Sequence, residues 1–293
     1  KFTGAGSFTV LVINDYVAAL VGKNVTLILT DGLTVKAASK VNAVTIAGSV
    51  AYGGSKSAGV GINTIIHNSK VNAGLGDGFT VTGANGGSWN GDVTISASGE
   101  LDLTSILVAA AASSSKSGNG TQAAGEGVVN IFVNGNSVTA EIGKNATIKT
   151  KGNVKVTAAS RLGYTGITGG IAASGGHGIG ASVSVIVVNT NTLTQIGNGA
   201  NITAGGNLTV SADSAATIVA VIVNGAAAGS NGVAAAVSPA VNVIKGSTVA
   251  RAGIGTYNVN AMSVTANSKT VIVIVSGGAA ISSGKSGVGG SVQ

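Results

Sequence analysis

A short motif returns along this chain at nearly constant spacing, and it limits what the chain can become. It reads Val21-Gly22-Lys23-Asn24-Val25-Thr26-Leu27, then Leu75-Gly76-Asp77-Gly78-Phe79-Thr80-Val81. It recurs as Ile142-Gly143-Lys144-Asn145-Ala146-Thr147-Ile148 and Ile196-Gly197-Asn198-Gly199-Ala200-Asn201-Ile202, and more loosely at Ile254-Gly255-Thr256-Tyr257-Asn258-Val259. With Gly22, Gly76, Gly143, Gly197 and Gly255 as markers, the separations are 54, 67, 54 and 58 residues. Self-similarity at such a period is the signature of an array in which each unit buries its apolar side only by stacking on its neighbours. One continuous core is therefore expected along the 293 residues, divided into units of approximately 4–58, 59–124, 125–178, 179–232 and 233–287.

The composition favours strands. There are 48 Gly and a single Pro, and charged residues make up 9% against roughly 25% in an ordinary domain. Val, Ile, Thr and Ala dominate between Gly-, Asn- and Ser-rich turns, a pattern of short strands rather than of disorder. Leu208/Val210 and Val154/Val156 alternate with polar residues at period two, as half-buried strands do. The segments between motifs carry no capped amphipathic helix, which excludes βαβ units. A unit of 54 residues divides into about three coils of about 18, and at ~4.8 Å per coil the array would be a rod of roughly 70–80 Å. The expected fold is an all-β parallel β-helix, with roughly three coils per repeat.

Several strands are apolar at both parities, notably Val185 to Val188, Ile218 to Val223 and Ile106 to Ala112. Such strands have both faces covered. Gly/Ala-rich tails folding back are the favoured cover, ahead of another chain. The absence of Cys excludes a disulfide framework, and no apolar run reaches the length of a membrane helix. Nine aromatics do not supply the girdles of an outer-membrane barrel. Lys1 to Gly6 reads as the inside of a repeat, and Gly287 to Val292 matches Gly178 to Val183, so a fragment of a longer protein is expected.

The openings such as Gly180-Ala181-Ser182-Val183-Ser184-Val185, the Ile-Gly-Asn-Gly-Ala motif at 196–200 and Gly-Gly-Asn-Leu-Thr-Val-Ser-Ala-Asp at 205–213 resemble the repeats of leukotoxin-type filamentous adhesins. They are also similar to the shafts of the filamentous haemagglutinin group of Gram-negative bacteria. The resemblance covers nearly the whole chain. It implies a right-handed parallel β-helix, secretion to the cell surface, and attachment or fibre building. Its implied partners are host or bacterial surface glycans and proteins, with lateral or end-to-end association of like chains and a parent anchored at the outer membrane. It implies no catalytic residues, no cofactor and no metal.

The residues themselves offer few candidates for chemistry. A β-helical carbohydrate-active protein or a self-assembling fibre subunit are the alternatives to a shaft. Carbohydrate cleavage needs converging carboxylates. Of the nine acids, Glu100 and Asp102 share a parity, with a solvated strand end as the plainer reading. His67 and His177 read as surface or turn residues. Lys144, Lys149, Lys151, Lys155 and Arg161 form the densest part of a net +7 charge and suggest an anionic-surface site, against the plainer role of keeping the wall soluble. Nucleic acid is disfavoured because aromatic platforms are scarce. The insertion Gly83 to Asp92 carries the only Trp, Trp89, and is expected to protrude as a loop. Asn14, Asn68, Asn134 and Asn189, seven or eight residues before the motif, could stack as an amide ladder. Asn24, Asn119, Asn145, Asn201 and Asn207 begin Asn-x-Thr sequons, at a frequency chance explains in so Asn- and Thr-rich a chain.

Overall fold

The computed structural model describes residues 2–114, 122–229, 231–284 and 286–293; the Asn119 sequon lies outside them. The chain is a parallel β-solenoid. Each turn of the chain uses a long strand, a short strand and a second long strand. The first turn comprises β1 (Phe2–Val21), β2 (Thr26–Ile28) and β3 (Leu33–Gly53). The second comprises β4 (Lys56–Leu75), β5 (Thr80–Thr82) and β6 (Val93–Ser113), and the third β7 (Ala123–Ile142), β8 (Thr147–Thr150) and β9 (Val154–Ser174). The fourth has β10 (His177–Ile196), β11 (Ala200–Ala204) and β12 (Leu208–Ala228), and the fifth β13 (Val233–Ala252), β14 (Gly255–Asn258) and β15 (Met262–Ser282); β16 (Ser286–Val292) begins the next. Like strands stack in parallel into a front sheet β1-β4-β7-β10-β13-β16, a narrow corner sheet β14-β11-β8-β5-β2 and a back sheet β15-β12-β9-β6-β3.

One repeat is therefore one coil, not three. Phe2 registers with Lys56, Lys56 with Ala123 and Ala123 with His177, so each strand finds its partner a whole repeat away. The division into coils of about 18 fails because the chain does not turn at most of its Gly, Ala and Ser residues: β3 runs unbroken through 21 residues that include Gly48 and a scatter of Ala. The shape changes accordingly. Long strands of about 20 residues span about 66 Å at ~3.3 Å each, while the six stacked front strands rise only about 24 Å. The molecule is a broad flat slab, wider than it is tall.

The corner between front and short strands explains the 54-residue glycine. Gly76 Nα donates to Val21 O (2.9 Å), Gly143 to Leu75 O (2.8 Å), Gly197 to Ile142 O (2.8 Å) and Gly253 to Ile196 O (2.8 Å), so the ladder continues around the bend. A Cβ on Gly76 would sit 2.6 Å from the Gly22 carbonyl carbon, and one on Gly143 2.5 Å from that of Gly76. The coils touch backbone to backbone here, and only Gly fits. The fifth marker is thus Gly253 rather than Gly255, which registers with Ala200. Two positions later the chain turns left-handed, at Asn24 (φ 55°), Gly78 (66°), Asn145 (54°) and Gly199 (79°), which Gly and Asn tolerate best.

Inside the slab, apolar layers alternate with polar ones. Nearest the corner lies a core of Val, Ile and Leu with Phe79 and Trp89. A second core holds Ile65, Leu101, Phe132, Tyr164, Ile186 and Ile218, with the Phe132 and Tyr164 rings stacked at 4.3 Å. Towards the far edge, where a tight turn joins back to front strand, the sheets converge and only small side chains fit: Ala226, Ala228, Ala234 and Ala236 form one cluster and Ala111, Ala124 and Ala172 another. Between the first two cores Asn136 Nδ2 donates to Ser160 Oγ (2.8 Å). Deeper in, Asn63 Nδ2 donates to Ser105 Oγ (2.8 Å) and Asn130 Nδ2 to the Tyr164 hydroxyl (3.0 Å).

The expected cover over the two-sided strands is not found among the described residues. Outward apolar side chains stay in solvent, with Val50 77%, Ile171 61% and Val108 47% exposed. The Gly/Ala-rich tails do not fold back; they are the far-edge halves of the long strands themselves.

Candidate functional surface

The lysine cluster is spread around the corner end. Lys144 lies in the front corner, Lys149 on β8, Lys151 in the turn after it, and Lys155 and Arg161 six residues apart on β9. That last separation is about 20 Å along the strand. Lys144, Lys151, Lys155 and Arg161 are exposed, so they form a basic rim around three sides rather than one concave site. Lys149 acts locally, donating from Nζ to Gly86 O (3.1 Å) and holding the insertion of the preceding coil. Arg161 registers beside Glu100, which also meets Lys40 (3.3 Å). Asp102 shares that outer face of the back sheet and registers with Gly163. The two acids therefore sit on a pleated wall rather than facing each other.

The insertion does not carry Trp89 outward. The insertion is exposed at 84–88 and again at Asn90 and Asp92, but Trp89 between them is 4% exposed, inside the first core, and bridges to Thr150. The indole area outweighs the loop-like composition around it. The second coil is longer in another place too, with ten residue steps from Ser113 to Ala123 where the third coil takes three from Ser174 to His177.

The asparagine ladder is displaced in one coil and duplicated elsewhere. Asn14, Asn68 and Asn189 lie outward in one row, and Asn68 Nδ2 donates to Asn14 Oδ1 (3.0 Å). The third coil contributes Gly135 to that row. Asn134 points inward, where it bonds His67 Nδ1 (2.7 Å), and His67 is itself a 2% exposed core residue rather than a surface one. His177 does sit at the far-edge turn, accepting from Val233 Nα (3.2 Å). A fuller ladder runs up the second corner. Asn153 Nδ2 donates to Asp92 Oδ1 (3.1 Å), Asn207 Nα to Asn153 Oδ1 (2.9 Å) and Asn260 Nδ2 to Asn207 Oδ1 (3.1 Å). Its signal in the chain is the recurrence of Gly91-Asp92-Val93, Gly152-Asn153-Val154 and Gly206-Asn207-Leu208.

Grooves cross the strands on the front sheet and at its corner. One, of about 520 Å³, follows the asparagine row on the front sheet and is lined by Asn14, Asn68, Lys70, Gly135, Asn189 and Asn191 among others. Lys70 Nζ lies 5.9 Å from the Tyr16 ring beside it. Another, of about 350 Å³, follows the front corner past Asp77, Glu141, Lys144, Gln195, Asn198 and Arg251. There Gln195 Nε2 donates to Glu141 Oε2 (2.8 Å), and Arg251 in turn donates to Gln195 Oε1. The Lys144 backbone N–H (2.9 Å) and then the Lys23 ammonium (3.3 Å) hold the Asp77 carboxyl below its usual range.

Among the described residues, one acid is buried without a charged partner. Glu126, on β7, points into the narrow far-edge interior and is 6% exposed. Gly170 faces it on the back sheet, where a Cβ would run into the carboxylate. Neither carboxylate oxygen has a well-formed hydrogen bond. Loss of water drives its pKa up to about 7, opposed only weakly by the Ala181 N–H and the Asn224 side chain. Nothing in the sequence marks Glu126 as different from the surface acids.

Among the described residues no three His, Asp or Glu side chains gather as a metal site. No family model matches the chain, and neither the curated proteins nor the solved structures contain a significant match.

Proposed function

We propose that this chain is a structural and adhesive shaft segment of a secreted bacterial surface protein, acting through repeated outer surfaces rather than one pocket. The observation that supports this reading is the stacked corner. Gly76, Gly143, Gly197 and Gly253 bring successive coils into backbone contact, which lets a coil be added without altering the one before it. The rim of Lys144, Lys151, Lys155 and Arg161 is the part best suited to hold an anionic glycan or cell surface. In a binding assay the immobilised chain should retain heparin-like polysaccharide or whole cells saturably. Replacing these four residues by Gln should weaken retention at least tenfold and flatten its salt dependence. Release of new reducing ends from the polysaccharide would replace this reading with an enzyme.

A second reading, carbohydrate binding without charge, is favoured by the front groove. Amides of Asn14, Asn68 and Asn189 both donate and accept, as sugar hydroxyls require, and Tyr16 offers a ring face beside them. Retention of neutral glycans that survives loss of the basic rim, but not Asn68→Ala, would favour it.

A further inference from the structure

The two ends of the slab differ in outer chemistry. On the front sheet, five rows of outward residues begin at Gly4, Gly6, Phe8, Val10 and Val12 and climb the stack. The last reads Val12, Ile66, Val133, Val187 and Val243. None of the five contains a charged residue, and Thr64 is the single polar one. The back sheet mirrors this on its far-edge half, where one row reads Ile46, Ile106, Ile167, Val221 and Val275. Among the described residues, the charged side chains of both outer faces lie nearer the corner, except Lys56, which sits at the far-edge turn just beyond the patch.

The front patch is flat and large. Five rows about 6.6 Å apart, three of them six strands long and two five, at about 4.8 Å per strand cover roughly 900 Å². That exceeds the roughly 300–600 Å² of the largest apolar patch on an ordinary soluble monomer, and it is about what each partner contributes to a stable interface. Several of its side chains are largely in water, such as Phe8 (71%), Ile179 (57%) and Val241 (52%).

We infer that the apolar half of the front sheet binds the same half of a second copy of this chain, face to face. Three features select a like copy over another partner. The patch carries no charge and almost no hydrogen-bonding side chain, so it offers nothing to recognise a polar surface. Its ridges repeat at the coil spacing, and only a sheet with the same spacing fits them along the whole stack. The front patch is also less polar than the back one, whose rows include Thr104, Thr165 and the Tyr52 hydroxyl. A two-fold pairing of front on front uses one patch twice and closes. The inference goes beyond the adhesive reading and does not depend on it.

Sedimentation velocity of the 293-residue chain from about 1 to about 100 µM tests it, alongside a Val133→Lys/Val187→Lys variant and an Ile167→Lys control on the back sheet. The chain and the control should sediment as dimers and the front-sheet variant as a monomer, with at least a hundredfold weaker association and unchanged strand signal in circular dichroism. Val12→Lys, on the end coil and 52% exposed, gives a milder version should the double variant not fold. A chain still monomeric at the highest concentration would overturn the inference, as would dimers indifferent to the front-sheet lysines or dissolved by Ile167→Lys. Flotation of a monomeric chain with phosphatidylcholine vesicles would also overturn it, by making lipid the occupant.

Discussion

Replacing Glu126 by Gln should stabilise the solenoid, and only above acidic pH. The wild-type carboxyl titrates at about 7 in the folded chain and near 4.5 when unfolded. Below 4.5 both states hold the proton, so the group adds no pH dependence there. Between 4.5 and 7 the unfolded chain releases it while the folded chain keeps it, so stability falls as pH rises, and it levels off above 7. At ~1.4 kcal/mol per pKa unit, the loss across this window is on the order of 3 kcal/mol. A protonated Glu126 could also donate to Asn224 Oδ1, which is buried without a partner. Gln keeps the volume beside Gly170 and an N–H for Asn224, but carries no charge. The difference in urea midpoint between Glu126→Gln and wild type should be near zero at about pH 4 and grow to its full value by about pH 8. A constant difference across that range, or one that shrinks as pH rises, would refute the assignment of the raised pKa to desolvation.

Other expectations rest on separate parts of the stack. Trp89→Ala should cost about 3–5 kcal/mol by opening the first core, and native fluorescence should be blue-shifted, as suits a 4% exposed indole. An emission maximum typical of a solvated indole would restore the protruding loop. Gly199→Ala should destabilise by about 1–2 kcal/mol, because φ is 79° there and the new methyl runs into Asn145 Oδ1. Asn145→Gly, by contrast, keeps its own corner intact, and equal thermal midpoints for the two variants would count against the account of the corner. Tyr164→Phe keeps the stacked ring but strands the Asn130 amide, at a cost of about 1–3 kcal/mol by chemical denaturation.

Much of the architecture was legible in the chain. The glycine marker, the period and the parallel stack follow from residues at 76, 143 and 197, because backbone contact between coils admits no other side chain there. The number of coils was not, because β3 and β12 pass through Gly, Ala and Ser as extended backbone, and those residues look like turns when only local preference is read. Their smallness answers the narrow far edge, a constraint set by the opposing sheet. The same limit applies to side-chain direction. Asn134 and Gly135 exchange the expected roles through a one-residue offset that only register reveals, since a shift of one residue moves a side chain to the opposite face. Trp89 lies inside against expectation because a loop of Gly, Asn and Ser gives no hint that its neighbours leave a gap in the core. The exposed lysines point outward as expected, but sequence proximity does not bring Lys155 and Arg161 together along an extended strand.

The pairing of every long strand with one a full repeat away shapes how the molecule yields to tension. Pulled along the stack, its hydrogen bonds are loaded in sequence, as a zip is opened, rather than all at once. Each coil that peels off frees 54 residues or more, about 190 Å of slack at ~3.5 Å per residue, in exchange for one ~4.8 Å step of height. A tether built this way lengthens roughly forty-fold per coil lost at modest force, and the coils behind the break stay closed because each is bound only to its neighbours.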